Sequence, residues 1–256
     1  GGVTSEVVTV NIAPVNDAAT ISGSAAGDVF EDGLLTTGGT MVVTDPDTGE
    51  NVFQAASADG AHGTFTMGAD GVWSYTATDS DAIQSLGANE SIVETFQVTS
   101  ADGTATETVT VKINGTNDTP TITGGTSADG LEDGGAVTGT VTATDVDATD
   151  TLTFSLDTGE GAAVAANGAV TVNADGSYSY TPNENFNGTD SFTVQVDDGH
   201  GGVTSEVVTV NIAPVNDVAT ISGSAAGDVL EDTTLSTGGL LTVSDVDAGE
   251  NVFQTQ

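Results

Sequence analysis

Three short stretches at matched positions put two carboxylates one residue apart: Asp45-Pro46-Asp47, Asp145-Val146-Asp147 and Asp245-Val246-Asp247; a fourth, Asp79-Ser80-Asp81, has no such counterpart. Each of the matched three follows an Asn-Asp pair (Asn16-Asp17, Asn117-Asp118, Asn216-Asp217) and a Glu-Asp pair (Glu31-Asp32, Glu132-Asp133, Glu231-Asp232). The spacing is regular, with fourteen residues from Asp17 to Glu31, from Asp118 to Glu132 and from Asp217 to Glu231. Carboxylates gathered in one place repel, so some take up protons or share a cation. Oxygen-only ligands, with backbone carbonyls beside them, are the donor set of Ca²⁺, which accepts six to eight at flexible geometry. The chain has no cysteine and two histidines, which leaves softer metals little to bind. Mg²⁺ suits less well because it gives up its water reluctantly. Asp and Asn also make turns, and that reading suffices for Asp70 and Asp175. It does not account for acid pairs that recur at matched positions. The loops are not EF-hands, since the third Asp and the distal Glu of that loop are missing after Asp45 and Asp47.

The remaining composition narrows the function. One Lys and no Arg stand against 38 acids, for a formal charge of -37. Nucleic acid needs cationic side chains on its phosphates, and anionic lipid needs them as well, so both are excluded as electrostatic partners. Such a charge opposes any compact state and calls for salt or bound cations. Hydrophobic residues still make up 37% of the chain, and they alternate, as in "EVVTVNI", "SYSYTP" and "SFTVQV". Period-two alternation punctuated by Gly, Asp and Asn is the signature of half-buried strands rather than disorder. No apolar run is long enough to span a bilayer. His62 and His200 lie in Gly-rich turns with no nucleophile beside them. Paired acids do glycosidase chemistry, but in a chain this acidic their presence discriminates nothing, and the chain reads as a non-enzyme.

The elements that must position the acids come in series. "GGVTSEVVTVNIAPVND" occurs twice without a change, at Gly1–Asp17 and Gly201–Asp217. A shorter echo, "VNIAPVND" or "VKINGTND", recurs about every hundred residues, which marks tandem structural units. The boundaries fall at Asp17, Asp118 and Asp217. They give the last strand of a truncated domain (1–17), two complete domains (18–118 and 119–217) and the first part of another (218–256). The identical ends make the chain read as a window cut from a longer array. Each complete domain accommodates seven strands, with Asp-Gly hairpin turns at Asp70, Asp102 and Asp175, and residues 79–90 have room for one helical turn. The expected fold is all-β, a series of seven-stranded sandwiches placed end to end. Trp73, Tyr75, Tyr178, Tyr180, Phe186 and Phe192 are read as core.

In such a sandwich the loops segregate by end. Asp45, Asp47, Asp145 and Asp147 are expected in loops between the second and third strands. Asp102, Asp197 and Asp198 are expected in loops between the last two. All of these belong at the end where the chain enters. Glu31, Asp32, Glu132 and Asp133, with Asp79, Asp81, Glu184 and Asp190, belong at the end where it leaves. The linker pairs Asn16-Asp17, Asn117-Asp118 and Asn216-Asp217 lie between. These residues, with Asp245 and Asp247, are the candidate Ca²⁺ ligands.

The stretch from Gly63 to Asp118, with "GTFTMGADGVWSYTATDSDAIQSLG" and a closing "GTND", resembles a VCBS repeat. "NADGSYSYTPNENFNGTDSFTVQVDDGHGG" resembles bacterial cadherin-like repeats. Together the two resemblances imply the extender region of a large secreted RTX-type adhesin. They imply immunoglobulin- or cadherin-like sandwiches and calcium held by the exit loops of one domain, the linker and the entering loops of the next. The expected role is a calcium-stiffened spacer at the bacterial cell surface or in an extracellular biofilm fibre, with neighbouring repeats and like chains as partners. A carbohydrate- or protein-binding module is the alternative, as is a self-assembling filament subunit. Exposed aromatics would mark the binding module, and a single Trp in a core strand does not supply them.

Overall fold

Alternating burial decides where the strands run. In the computed structural model, which describes residues 1–233, 236–247 and 249–254, two compact units form. The first comprises Gly1–Asp118 together with Asp145–Asp150, and the second comprises Thr119–Thr144 with the chain from Thr151 onward.

In the first unit β1 (Thr20–Gly23), β2 (Ala26–Phe30), β3 (Thr36–Thr44), β4 (Ala56–Asp59), β5 (Gly63–Met67) and β6 (Val72–Ala77) lead to a one-turn helix α1 (Asp81–Gln84). Then come β7 (Ser91–Thr99) and β8 (Thr106–Asn114). One sheet has the order β1-β3-β6-β5-β4 and the other the order β2-β8-β7. β5 buries Gly63, Phe65 and Met67 while exposing Thr64 and Thr66, the pattern of a strand with one wet face. Phe65, Trp73, Tyr75, Phe96, Val109 and Val111 meet in a shared core, where Phe65 stacks on Phe96 with ring centroids 4.7 Å apart.

The chain changes sheets between β1 and β2. β1 pairs antiparallel with β3, whereas β2 pairs parallel with β8. Gly23 makes the crossing possible. Its φ is +115°, and a Cβ there would stand 2.6 Å from the Thr40 carbonyl oxygen, so only glycine fits.

The second unit repeats the plan. It contains β9 (Thr121–Gly124), β10 (Ser127–Leu131), β11 (Val137–Thr140), β12 (Thr142–Thr144), β13 (Thr153–Asp157) and β14 (Gly168–Val172). These are followed by β15 (Ser177–Pro182), β16 (Gly188–Asp197) and β17 (Val203–Ala213). The sheets run β10-β17-β16-β13 and β11-β15-β14, with β12 paired to β9. Tyr178, Tyr180, Phe192, Val194, Val208 and Val210 form its core. β18 (Thr220–Gly223) and β19 (Leu241–Ser244) pair with each other. Among the described residues no helix is long and apolar enough to cross a membrane.

The architecture is the expected all-β series of sandwiches, with three local differences. First, β2 and β10 were not foreseen. They are five-residue strands containing Asp-Gly or Gly-Asp, and they exist because the last strand of the unit offers them an open edge. Second, the stretch between β3 and β4 pairs only through a single bridge, Phe53 with Ser100, and β4 begins at Ala56. Third, Val3–Ala13 has the same sequence as β17 yet takes no strand and is exposed throughout. β17 is held between β10 and β16. A strand with neither neighbour leaves its ladder groups to water and gains nothing from alternation.

Candidate metal centres

The three Asp-x-Asp loops fold alike. The first carboxylate turns back on its own loop: the Asp47 N–H donates to Asp45 Oδ1 at 2.7 Å, Asp147 to Asp145 at 3.0 Å and Asp247 to Asp245 at 2.9 Å. These are Asx turns, the local bond a short acid makes two residues ahead. The second carboxylate reaches the linker. The N–H groups of Asp17, Asp118 and Asp217 donate to Oδ2 of Asp47, Asp147 and Asp247 at 2.7, 2.8 and 2.7 Å. In each linker the Asn side chain then donates to the carbonyl of the following Asp (Asn16, Asn117 and Asn216). One sequence motif thus brings the linker onto its loop three times by the same bonds.

A third acid completes each loop. Asp45, Asp47 and Glu50 bring one oxygen each within 4.8 Å of one another, as do Asp145, Asp147 and Asp150, and Asp245, Asp247 and Glu250. Glu50, Asp150 and Glu250 were absent from the sequence reading. Their signal was available, since each stands five residues after the first Asp of its pair.

In the first unit Glu31 joins the cluster of Asp145, Asp147 and Asp150. Glu31 is 3% exposed. Its Oε1 accepts the Thr116 N–H at 2.5 Å, while its Oε2 is buried and without a partner, as are Asp145 Oδ2 and Asp147 Oδ1. Burial raises the Glu31 carboxyl above its usual range, against the Thr116 bond, with Asp32, Asp147 and Asp118 adding to the rise. Burial likewise raises Asp118, helped by Asp32 and Asp145. The loop is anchored by the turn after α1, where the Ala148 N–H donates to the Ser85 carbonyl at 3.2 Å. Around Asp45, the Asn51 side chain accepts the Asp45 N–H at 2.8 Å, Asn16 donates to Asp102 at 3.3 Å, and Asp45 Oδ2 and Glu50 Oε2 are buried without partners. In the second unit Asp217 meets Asp133, Asp247, Glu132 and Asp245. Burial first and these acids next raise its carboxyl.

Other expected ligands are placed differently. Asp190 lies in β16, not in a loop. Its carboxylate accepts the N–H groups of Ala166, Asn167 and Ser191 and the Tyr180 hydroxyl, so it is a structural tie. Asp198, 1% exposed, closes its own turn by accepting the N–H groups of His200, Gly201 and Gly202. Asp197 likewise accepts the Gly199 N–H at 2.7 Å. Asp81 opens α1. Asp79, Asp81, Glu184 and Asp197 are outside the three groups of converging carboxylates found among the described residues. Asp133 also accepts the Asn185 N–H at 3.2 Å.

The profile of the bacterial cadherin-like domain matches residues 16–115 and again residues 117–214. The chain belongs to the bacterial cadherin-like domain family. The match includes the first complete domain, whose motifs resemble a VCBS repeat. No curated protein matches the chain. Among solved structures, this cadherin-like chain is similar to protocadherin gamma B7 extracellular cadherin domains 1-4, at TM-score 0.52 and 16% identity, covering 90% of this chain and 59% of that one. It is also similar to the protocadherin gammaB4 extracellular domain, at TM-score 0.50 and 15% identity, covering 91% and 41%. Mouse cadherin-23 EC22-24 aligns over 77% of this chain and 65% of that one, with 21% identity and a TM-score of 0.47. The chain thus spans less than two thirds of the length of these structures, and at such identities the likeness concerns the fold.

The clusters of the cadherin-like chain fit a hard divalent cation. They offer only oxygen, their carboxylates converge, and several buried oxygens have no hydrogen-bond donor. Buried polar atoms are rarely left so. Ca²⁺ takes bidentate carboxylates and carbonyls at variable geometry, which the linker carbonyls and the Asp-x-Asp-x-x-Asp/Glu loops can supply.

Proposed function

We propose that this chain is a calcium-bound spacer of an extracellular adhesin or matrix fibre, built from domains at 18–118 and 119–217 between partial domains at 1–17 and 218–256. The first of the complete domains is of VCBS character. The protein is secreted to the bacterial cell surface, has no catalytic role, and takes its own neighbouring repeats and like chains in a biofilm as partners. The observation that carries this reading is the recurrence of one loop three times, each with three carboxylates within 4.8 Å and a linker N–H bonded to the second of them. Glu31, Asp145, Asp147 and Asp150 with the Asp118 linker would hold calcium in one such site. Asp45, Asp47 and Glu50 with Asp17 would hold it in another, and Glu132, Asp217, Asp245, Asp247 and Glu250 in the third. Bound cations cancel the repulsion and add their binding energy to that of the fold, so successive sandwiches are held stiffly only when calcium is present. Repetition suits a spacer, since copies add length without needing distinct surfaces.

Small-angle scattering and thermal melting, each with calcium and with chelator, test this. The expected result is a longer, better-defined particle and a higher melting temperature in calcium. Identical profiles and identical melting in the two conditions would overturn it.

A further inference from the structure

The matched acids Glu31 and Glu132 are not equivalent in what they have left to give. Both are almost wholly buried, at 3% and 1% exposed. Both use Oε1 in the same way, accepting a linker N–H, from Thr116 in one case and from Val215 at 2.6 Å in the other. They differ at Oε2. That of Glu31 is buried with no donor within reach and stands among Asp32, Asp147 and Asp118. That of Glu132 accepts the side-chain amide of Asn187 at 2.8 Å. The register explains the difference. Gly188 pairs with Ile212 and Ile92 with Ile113, so the residue just before each pair is Asn187 in the second unit and Ser91 in the first. Serine carries no amide, and its short hydroxyl side chain leaves Glu31 Oε2 without a donor.

We infer that the two clusters take calcium unequally, the Glu31 cluster binding more tightly because Glu132 has given its second oxygen to Asn187. The inference rests on the calcium reading above and deepens it. An ion at the Glu132 cluster must share Oε2 with the Asn187 amide or displace it. At the Glu31 cluster, a carboxylate oxygen that has already lost its water awaits the ion. Outer-shell groups bonded to a metal ligand shift metal affinity by about 10- to 100-fold; a gap of that size is expected between tight and weak sites, with the opposite sign here because the Asn187 amide competes for the oxygen instead of orienting it. A fibre of such repeats would lose stiffness at alternate sites first as calcium falls.

Calcium titration of the full chain by calorimetry, starting from metal-free protein, tests this. The wild type should show tight and weak classes. Asp147→Asn should remove sites from the tight class. Asn187→Ala should free Glu132 Oε2 and strengthen the weak class about tenfold, and Ser91→Asn should weaken the tight class. Circular dichroism verifies folding, and the Ser91 variant keeps the test open should the Asn187 variant unfold. If the wild type binds calcium but Asn187→Ala leaves or weakens the weak class while Ser91→Asn leaves the tight class unmoved, the inequality falls and the calcium reading stands. If no variant binds calcium, both fall.

Discussion

Asp190 and Asp147 are both aspartates with almost no exposed surface, 6% and 3%, and they face opposite surroundings. Around Asp190 stand donors. The Ala166 and Asn167 N–H groups reach it at 3.1 and 2.8 Å and the Tyr180 hydroxyl at 2.9 Å. Burial is the largest influence on its carboxyl and would raise it, but these bonds outweigh burial and hold it below the usual range. Around Asp147 stand acids. Burial raises its carboxyl, the Asp118 N–H alone opposes the rise, and the charges of Asp118, Asp150 and Asp145 add to it. The first unit has its own counterpart of the Asp190 tie: Glu94 accepts the Tyr75 hydroxyl at 2.7 Å and the His62 N–H at 2.8 Å. A buried acid that has its own donors belongs to the scaffold. A buried acid surrounded by acids takes up a proton or a cation, and calcium is the cation proposed above. Burial alone does not separate the two; the donors or the acids around each one do.

The largest break in this comparison should come from the scaffold. Asp190→Ala takes the acceptor from the Tyr180 hydroxyl and from three backbone N–H groups, those of Ala166, Asn167 and Ser191, in a buried site. Hydrogen bonds to a charged group are worth about 1.5–3 kcal/mol each and do not add fully, so the second unit should lose about 3–5 kcal/mol. Chemical denaturation should record the same loss with calcium and with chelator. A loss seen only in calcium would make Asp190 a ligand after all. Glu94→Ala should cost the first unit about 2–3 kcal/mol by the same reasoning, again without regard to calcium.

Removing acids from the cluster should act in the opposite direction when calcium is absent. Asp145→Asn with Asp147→Asn keeps acceptors for the Asp147 and Asp118 N–H groups and removes two negative charges. In chelator the first unit should melt higher, by about 4 °C for a relief near 1 kcal/mol. In calcium it should melt below the wild type, because ligands are gone. A double variant that melts lower in both conditions would show these residues to be turn makers only.

The scaffold was more legible in the sequence than the site. Alternation placed β5, β6, β15 and β17 because each buries every second residue in one core. It missed β2 and β10, pentapeptides containing Gly-Asp and Asp-Gly that read as turn signals and that pair with β8 and β17, about eighty positions later. It also could not tell Val3–Ala13 from Val203–Ala213, because identical local preference becomes a strand only where neighbours supply the ladder. Spacing exposed the Asp-x-Asp loops and the linker pairs. Loop position alone assigned Asp190, Asp197 and Asp198 to metal, although Asp190 spends both oxygens, and Asp197 and Asp198 one oxygen each, on donors that no spacing rule reveals. The third acid of each loop escapes a search for close pairs, because it stands five residues after the first Asp, and only the recurrence of that offset marks it.

The smallest effect is a pH dependence of opposite sign in the two kinds of acid. The Asp147, Asp118 and Glu31 carboxyls are raised by burial and by one another. A folded-state value above the unfolded one means that the folded protein binds protons more tightly. Its stability is then greatest below the unfolded carboxylate range and declines as pH rises through the folded values. Asp190 is lowered, so its contribution is complete above the unfolded value and is lost as pH falls through the folded one. In chelator, wild type and the Asp145→Asn, Asp147→Asn double variant should therefore melt at similar temperatures near about pH 4 and separate as pH rises toward about pH 7, the wild type falling behind. Asp190→Asn should do the reverse, matching the wild type best in acid and diverging above the carboxylate range. Calcium should reverse the first divergence, putting the wild type ahead, and leave the second, because only the cluster acids exchange their protons for an ion. A gap between wild type and the double variant that stays constant over this range would show that the cluster carboxylates do not repel one another enough to matter.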